Sequence, residues 1–454
     1  MNKIKRVHII AVGGAVMHNM AIALKLKGCA VTGSDDAIFN PSKSNLEKHG
    51  LLPKKEGWDA TLIDSSIDAV IVGMHARPDN PELAKAKELG IPCYSFPEFM
   101  YQQSTDCTRL VVAGSHGKTT ITSMLLHAYK KLNKPFNYLV GSKIEGFDCM
   151  VGFDDRADVA IFEGDEYLSS PLDDRSKFLH YKPHAVIITG LAWDHINVFP
   201  TYQKYLHTFE MLIRDIVPGG ALIYFEGDKD LVDLVAKNPN PNIRYIPYNA
   251  LNNREIDDHS MVLSQCIGQV ELPFFGAHNL ANSESARLIF SEIGINGSSF
   301  YNSLKDYQGA ARRLQKVHDE NETTIFYDFA HAPSKVTATV KAVRNKYPDR
   351  KFIAILELHT FSSINPEFIP FYKGSLSPAN EATVFFDPKV LEHKKMPPME
   401  VKQVEEAFNN PDIMVKNNKE EVYTYLKGLD LENSVLLLMS SGTLFEEYLK
   451  AFQD

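Results

Sequence analysis

A short glycine-rich segment followed by a lysine is the part of this sequence best suited to chemistry. It follows the predicted strand 109–113 and precedes apolar residues spaced as on one helix face. Such a loop's N–H groups, the positive helix end and the ammonium attract a phosphate chain, and the next threonine offers a hydroxyl to Mg²⁺. The pattern predicts a nucleotide-phosphate loop, although Val112 stands where GxxxxGK[ST] has its first glycine. The predicted loop comprises Gly114, Ser115, His116, Gly117, Lys118, Thr119 and Thr120.

Two further side chains of metal-binding type follow predicted strands. Glu163 comes directly after the apolar run 159–162, and His195 comes shortly after the buried run 185–189. Open α/β sheets place ligands at the carboxyl ends of their strands, where a carboxylate suits a hard cation such as Mg²⁺. From the residues alone, Glu163 is a metal ligand or a solvated loop acid, and His195 is a ligand or a structural histidine. Asp165 and Glu166 are expected to orient the loop and are not predicted ligands.

Polar groups later in the chain could complete a nucleotide site. His278, Asn279 and Asn282 open a predicted helix. A carboxamide offers the donor and acceptor that an adenine edge requires, although Asn279 could simply cap the helix. Arg313 is a fixed-charge fork suited to a γ-phosphate, and Asp328, at the end of a predicted strand, suits ribose hydroxyls.

Five segments, in this order, resemble the motifs of the Mur ligase family. Residues 113–120 resemble its AGTHGKTT loop, and the later segments are 163–167 (EGDEY), 193–195 (WDH), 276–282 (GAHNLAN) and 312–313 with 327–333 (RR and YDFAHAP). Each later segment is weak alone, but five in order over nearly the whole chain are specific. The resemblance implies an ATP-dependent ligase that forms an amide bond through an acyl phosphate.

The same resemblance assigns roles to individual residues and implies ATP and two Mg²⁺ ions as cofactors. It implies that the first Mg²⁺ is shared by Thr119 and Glu163, and that His195 binds the second. It also implies that Asn279 and Asn282 hold adenine, with His278 beside them. The residues expected to carry catalysis are Lys118, Glu163, His195 and Arg313, and His331 is expected to face the amine substrate.

Near the start of the chain, a glycine turn follows the first predicted strand. Gly13 and Gly14 make a poor GxGxxG motif, because Ala11 and Val16 stand where glycines belong, and a nicotinamide site is therefore disfavoured. The turn better resembles the UDP-sugar-binding turn of Mur ligases. Gly13, Gly14 and Asp35 are the candidate UDP-binding residues.

Two types within the family accept unsubstituted UDP-N-acetylmuramate. Segment 173–181 (DDRSKFLHY) resembles the type that attaches L-Ala-γ-D-Glu-meso-diaminopimelate, and the type that attaches L-alanine stays open as the alternative. Mur ligases that add later amino acids carry a carbamylated lysine. The nearest lysine in this sequence is Lys204, which is expected to be solvated. The sequence departs from the family at Ala332, at 358–360 and at 440–442, which leaves the amine specificity open.

The secondary-structure elements that must position these groups can be predicted from the sequence. Short apolar runs alternate with stretches whose apolar residues have helical spacing. This alternation predicts α/β domains with parallel sheets, and 454 residues exceed one ordinary core. We predict a Rossmann-like UDP-muramate-binding domain at 1–105, a P-loop-type ATP-binding domain at 106–308 and a Rossmann-like amine-substrate domain at 309–454. The polar stretch 238–258 is predicted to be a surface loop.

Composition disfavours nucleic acid and a membrane as partners, and the resemblance implies small-molecule substrates. A formal charge of -9 lacks the basic surplus of a nucleic-acid binder. No stretch approaches the ~18 apolar residues of a membrane span, and the first apolar run is better interpreted as a strand than as a signal peptide. The five cysteines are scattered without a CxxC pair, which favours reduced thiols and a cytoplasmic location.

Two competing functions remain open at this point. The glycine turn in the first domain argues against a ligase that joins folate and glutamate. A nucleotide-switched binding module that had lost catalysis would not need Lys118, Glu163 and His195. Release of ADP that depends on an acceptor carboxylate would distinguish an enzyme from such a module.

Overall fold

The computed structural model describes residues 4–74, 76–170, 173–193, 198–256, 259–264 and 268–452. Contacts group the chain into two compact units. Unit 1 comprises Met1–Leu191, Leu206–Asn249 and Asn282–Tyr307, and unit 2 comprises Ala192–Tyr205, Ala250–Ala281 and Gln308–Asp454. Among the described helices, none combines the length and the apolar character that a bilayer crossing requires.

Unit 1 begins with a four-stranded parallel sheet. Its strands are β1 (Arg6–Ile10), β2 (Ala30–Ser34), β3 (Ala69–Val72) and β4 (Cys93–Ser95), and the helices between and after them are α1 (Ala15–Leu26), α2 (Ser42–Lys48), α3 (Pro81–Glu88) and α4 (Phe96–Gln102). The strand order is β2-β1-β3-β4, so the chain changes direction across the sheet beside β1. Sheets of this kind bind ligands at the carboxyl ends of the strands at such a switch point.

A seven-stranded sheet forms the larger part of unit 1. Its strands are β5 (Thr108–Ala113), β6 (Asn137–Leu139), β7 (Val151–Gly152), β8 (Val159–Glu163), β11 (Ala185–Ile188), β12 (Ala221–Phe225) and β13 (Arg244–Tyr248), and a hairpin of β9 (Leu168–Ser170) and β10 (Asp173–Ser176) lies between β8 and β11 in the chain. The order is β13-β12-β11-β5-β8-β6-β7, and only β7 among these is antiparallel to its neighbour. The fully apolar stretches of β5, β8 and β11 are buried, as a parallel sheet covered on both faces requires.

The helices of this middle region begin with α5, which directly follows the predicted phosphate loop. They are α5 (Lys118–Lys131), α6 (Tyr202–Arg214), α7 (Lys229–Lys237), α8 (Ala277–Ser291) and α9 (Gly297–Ser303). Three further strands, β14 (Asn253–Ile256), β15 (His259–Ser264) and β16 (Gly268–Leu272), form a separate antiparallel sheet in unit 2.

The prediction of a surface loop over residues 238–258 is wrong. β13 is the edge strand of the seven-stranded sheet, and β14 pairs with β15. An edge strand has one neighbour and is partly exposed, so β13 lacks the apolar run by which a buried strand is recognised.

Unit 2 is built on a six-stranded sheet with one antiparallel edge. Its strands are β17 (Gln315–Glu320), β18 (Thr323–Asp328), β19 (Lys351–Leu358), β20 (Glu381–Phe386), β21 (Ile413–Lys416) and β22 (Ser434–Met439), and its helices are α10 (Pro333–Lys346), α11 (Pro388–His393), α12 (Val401–Phe408), α13 (Lys419–Lys427) and α14 (Glu446–Leu449). The order is β17-β18-β22-β19-β20-β21, with β17 antiparallel. Apolar side chains on its two faces form two separate clusters.

The last residues of unit 1 are fastened to helix α5. The Tyr307 hydroxyl bonds the Ser123 hydroxyl and lies 3.4 Å from the Thr120 carbonyl oxygen. The neighbouring Asp306 carboxylate lies 3.1 Å from the His127 ring nitrogen Nε2. The end of unit 1 is therefore anchored to the helix that begins at the phosphate loop.

A buried arginine joins several loops of unit 1. Arg109 lies in β5 with 5% of its surface exposed. Its guanidinium donates hydrogen bonds to the carbonyl oxygens of Ser104, Thr105, Cys107, Tyr181 and Lys182. One side chain thus satisfies carbonyls from the segment before β5 and from the segment before β11.

We predict that Arg109→Met lowers the free energy of unfolding by about 3 kcal/mol, because buried carbonyl oxygens lose a charged donor. Urea denaturation followed by circular dichroism measures the change. The matched control is Arg156→Met, since Arg156 is exposed and pairs with Asp154, and its effect should stay within about 0.5 kcal/mol. Equal stability of the two variants would contradict the role given to Arg109.

Candidate active site

Two glycines give the phosphate loop its shape. Gly114 and Gly117 have φ angles of 108° and 67°, in the left-handed region that other residues rarely adopt. A Cβ atom at Gly114 would collide with Thr189, and one at Gly117 would collide with the side-chain amide of Asn282. The loop therefore packs closely on both neighbours, and the predicted nucleotide residue Asn282 lies beside it in unit 1.

The loop is also held by hydrogen bonds to the end of β11. The Ser115 N–H donates to the Gly190 carbonyl oxygen at 3.0 Å, and the His116 N–H donates to the Thr189 hydroxyl at 3.3 Å. The first turn of α5 follows at once, and the N–H groups of a first turn have no partner within the helix. These groups and the helix dipole make this end of α5 suited to a phosphate.

Lys118, the first residue of α5, is held by two oxygen atoms. Its ammonium donates to the Gly114 carbonyl oxygen at 2.6 Å and to Glu166 Oε2 at 2.8 Å. Burial lowers the pKa of Lys118, but Glu166, Asp165 and Glu163 outweigh it, and the pKa lies above its usual value. The lysine is charged at neutral pH.

The next residue, Thr119, meets the carboxylate at the end of β8. Its hydroxyl donates to Glu163 Oε1 at 2.8 Å, and Glu163 Oε2 accepts the Gly141 N–H at 2.7 Å. A hydroxyl and a carboxylate are the hard oxygen ligands that Mg²⁺ prefers, and here they are already in contact. Thr119 and Glu163 therefore fit a shared Mg²⁺ ion.

Asp165 is paired with a lysine from segment 173–181. Lys177 Nζ lies 2.5 Å from Asp165 Oδ2, and the same ammonium lies 5.6 Å from the ring centres of Phe96 and Tyr167. The Lys177 N–H also donates to the Tyr167 carbonyl oxygen at 2.9 Å. Segment 173–181 thus supports the carboxylate-bearing segment 163–167, a contact that the sequence did not indicate.

The predicted UDP-binding residues come together at the switch point of the first sheet. The Gly13 N–H donates to Asp35 Oδ2 at 2.7 Å, and a Cβ at Gly13 would lie only 2.8 Å from that oxygen. Gly14 continues the turn into α1. Burial raises the pKa of Asp35 to about 6, although the bond from Gly13 lowers it. Asp35 is buried and closes the glycine turn.

Unit 2 carries the other predicted nucleotide residues. The Arg313 guanidinium lies 4.5 Å from the centre of the Phe329 ring. Asp328 ends β18 and accepts a hydrogen bond from Thr339 at 2.7 Å. Burial lowers the pKa of His278, while Asp328 acts in the opposite direction.

Two more predicted residues of unit 2 bond to nearby backbone. Asn279 donates its side-chain N–H to the Phe275 carbonyl oxygen at 3.0 Å. His331 is buried, and its Nδ1 lies 2.8 Å from the Phe329 carbonyl oxygen. Lys204 is exposed, as expected. His195, the predicted ligand of the second metal, lies outside the described residues.

A polar cluster in unit 2 was missed by the sequence argument. Glu357, 5% exposed near the end of β19, accepts the Ser440 hydroxyl, and its Oε1 lies 3.5 Å from His359 Nδ1. Lys394 donates to the His359 carbonyl oxygen and lies 4.8 Å from the Phe361 ring centre. A carboxylate within an otherwise apolar strand was the signal that could have revealed the cluster.

Comparison with known proteins places the chain in a family. Residues 6–106 match the Mur ligase family catalytic domain, and residues 112–290 match the Mur ligase middle domain. The UDP-N-acetylmuramate--L-alanyl-gamma-D-glutamyl-meso-2,6-diaminoheptandioate ligase of Escherichia coli is 30% identical over 366 residues, 78% of each chain. The UDP-N-acetylmuramate--L-alanine ligase of Lactiplantibacillus plantarum is 26% identical over 100% of this chain and 99% of its own.

Solved structures show the same fold along the whole chain. A murein peptide ligase from Psychrobacter arcticus has a TM-score of 0.66 at 22% identity and covers 99% of both chains. A UDP-N-acetylmuramate-alanine ligase from Thermotoga maritima has a TM-score of 0.71 at 19% identity, over 99% of this chain and 98% of its own.

The chain belongs to the Mur ligase family. It is an ATP-dependent ligase that forms amide bonds, and the family uses ATP and Mg²⁺. The predicted α/β fold, with Rossmann-like first and third domains around an ATP-binding domain, is confirmed.

We predict that Glu163→Gln raises the Mg²⁺ concentration needed for half-maximal ADP formation by about 10- to 100-fold, since a charged contact is worth about 1.5–3 kcal/mol. The amide keeps the shape and an oxygen for Thr119 but removes the charge. A Mg²⁺ titration of the rate measures the shift. Glu145→Gln is the matched control, because Glu145 is exposed. An unchanged titration for Glu163→Gln would remove Glu163 from the metal site.

Proposed function

We propose that this ligase joins the carboxylate of UDP-N-acetylmuramate to the amine of L-Ala-γ-D-Glu-meso-diaminopimelate, as in peptidoglycan recycling. In this proposal residues 1–105 bind the UDP-sugar, residues 106–308 bind ATP, and residues 309–454 receive the amine. The observation that carries the chemistry is a pair of contacts at one sheet edge, Lys118 with Glu166 and Thr119 with Glu163. The need for ATP and a nucleotide-sugar is consistent with action in the cytoplasm.

The proposed reaction has two steps, formation of an acyl phosphate and then formation of the amide bond. A carboxylate oxygen of the muramoyl group attacks the γ-phosphorus of ATP, the bond to the β-phosphate oxygen breaks, and ADP leaves. The amine nitrogen then attacks the acyl carbon, the bond to the phosphate oxygen breaks, and inorganic phosphate leaves as the nitrogen loses a proton. Phosphoryl transfer of this kind depends on positioning and on neutralising charge.

The residues of the phosphate loop supply both requirements. The loop and the first turn of α5 orient the phosphates through their N–H groups, and Lys118 neutralises charge on the transferred group. A Mg²⁺ ion held by Thr119 and Glu163 would add a Lewis acid at the phosphates. Arg313 is proposed to add a second fixed positive charge. Adenine is assigned to His278, Asn279 and Asn282, and ribose to Asp328.

The proposal includes a second Mg²⁺ ion. The resemblance assigns it to His195, whose imidazole would hold the ion. The glycine turn of Gly13 and Gly14, closed by Asp35, is proposed to bind the UDP moiety, since it lies at the switch point of the first sheet.

Segment 173–181 supports the choice of the tripeptide as the amine. It resembles the tripeptide-adding type, and the Escherichia coli relative at 30% identity carries that activity in its name. The segment also contacts the site: Lys177 pairs with Asp165, two residues from Glu163. Segment 173–181 therefore resembles the tripeptide-adding type and also contacts the carboxylate-bearing segment 163–167. Both observations favour the tripeptide as the amine.

The lack of an arginine in residues 357–361 supports the same choice from the amine's side. Free L-alanine carries a carboxylate next to its amine, and a pocket for it needs a positive partner there. Residues 357–361 contain no arginine, and their one carboxylate, on Glu357, is buried. The tripeptide has an amide at that position, so it avoids the cost of an unpaired buried carboxylate, at least ~1–3 kcal/mol.

The second candidate function is ligation of L-alanine to the same acceptor. It is favoured by the Lactiplantibacillus plantarum relative, which matches the full length of the chain at 26% identity. The lack of an arginine in residues 357–361 argues against it.

We predict that ATP cleavage depends on the acceptor, because the muramoyl carboxylate is the attacking group. ADP formation without UDP-N-acetylmuramate should be a few per cent or less of the rate with it, as measured by a coupled ADP assay. The control is UDP-N-acetylglucosamine, which lacks the carboxylate and should not stimulate ADP formation. Vigorous ADP formation without the acceptor would favour a nucleotide switch instead.

We predict that kcat/KM for the tripeptide exceeds that for L-alanine by roughly tenfold or more, as the cost of an unpaired carboxylate implies. Both amines are compared at saturating ATP and UDP-N-acetylmuramate, with products identified by mass spectrometry. L-Alanine amide is the informative control, since it lacks the carboxylate and should react better than L-alanine. Equal or better efficiency with L-alanine would make the chain an alanine ligase.

A further inference from the structure

The Lys118 ammonium is held at two points, one of which is a buried carboxylate. The Glu166 side chain is 1% exposed and that of Lys118 is 16% exposed. The two oxygens that accept its hydrogen bonds are the Gly114 carbonyl oxygen at 2.6 Å and Glu166 Oε2 at 2.8 Å. Water cannot readily replace a carboxylate so deeply buried, so the contact depends on Glu166 itself.

Two fixed hydrogen bonds determine the direction of the third. An ammonium carries three N–H donors in tetrahedral arrangement. Among the described residues, Gly114 and Glu166 are its hydrogen-bond acceptors. A lysine side chain has about 2 kcal/mol of rotamer entropy to lose, and anchoring it in advance removes that cost from the binding of a phosphate.

We propose that Glu166 is a positioning residue that directs the third N–H of Lys118 toward the γ-phosphate of ATP. This inference rests on the proposed role of the phosphate loop. Glu166 acts through Lys118 and does not touch the nucleotide. It differs from Glu163, whose carboxylate contacts Thr119 and Gly141.

The reach of the side chain, more than its charge, is what the geometry requires. Glu166→Gln keeps an oxygen at the same reach and accepts the same hydrogen bond. Glu166→Asp keeps the charge but withdraws the oxygen by one methylene length, and Glu166→Ala removes the contact. We therefore expect the kcat of Glu166→Gln to be similar to that of the native enzyme. The kcat values of Glu166→Asp and Glu166→Ala should be well below both.

The test measures kcat and KM for ATP together with the dissociation constants of Mg²⁺-ADP and Mg²⁺-β,γ-imido-ATP by calorimetry. We expect Glu166→Ala and Glu166→Asp to lose about 10-fold or more in kcat, and Glu166→Gln to stay within about threefold, as loss or retention of one charged hydrogen bond implies. In the first two variants the preference for imido-ATP over ADP should fall by a similar factor, with ADP affinity nearly native. A merely structural role would change the melting temperature but not this preference.

Two controls separate failure of this inference from failure of the proposed function. Asp233→Asn removes an exposed partner of Lys229 and should leave every value native. Lys118→Ala should lose both kcat and the preference for imido-ATP. If Lys118→Ala has these losses while Glu166→Asp is native, the positioning role is overturned and the phosphate loop stands. If Lys118→Ala also has native values, the phosphate-loop assignment fails.

A fall in the kcat of Glu166→Gln to the level of Glu166→Ala would overturn the proposal that the reach of the side chain positions Lys118. Should Glu166→Ala not fold, the Asp and Gln pair decides.

Discussion

The structure of the site depends on three parallel strands that are immediate neighbours, in the order β11-β5-β8. Their carboxyl ends lie side by side, so the segments that follow them must share one edge. The phosphate loop follows β5, Glu163 ends β8, and Thr189 follows β11. The hydrogen bonds from Ser115 and His116 to the end of β11, and from Thr119 to Glu163, are consequences of that adjacency. Residues far apart in sequence thereby become one site.

The charges at this edge explain why the chemistry calls for a divalent cation. Lys118 is paired with Glu166, and Lys177 is paired with Asp165, so two of the carboxylates are balanced within the protein. Glu163 accepts hydrogen bonds from a hydroxyl and from an N–H. In the proposed function, an ATP phosphate chain adds further negative charge at this edge. A Mg²⁺ ion held by Thr119 and Glu163 would reduce the repulsion between these negative charges.

Much of the fold and the loop could be predicted because the signals are local. Apolar runs such as 159–162 and 185–189 mark buried strands, and a lysine after a glycine loop marks a phosphate site. The pairing of Lys118 with Glu166 was not predictable, since it joins residues 48 positions apart and depends on how the loop after β8 turns. The edge strand β13 was missed because partial exposure leaves no apolar run. The Glu357 cluster was overlooked because Ser440 lies 83 positions away, after a different strand.

The attachment of Tyr307 to α5 has a mechanical consequence. Tyr307 is the last residue of unit 1, and its hydroxyl rests on Ser123 and on the Thr120 carbonyl, in the first two turns of the helix. The point at which the chain leaves unit 1 is therefore held by the same helix that carries Lys118 and Thr119. A displacement of α5 would therefore move the end of unit 1 with it.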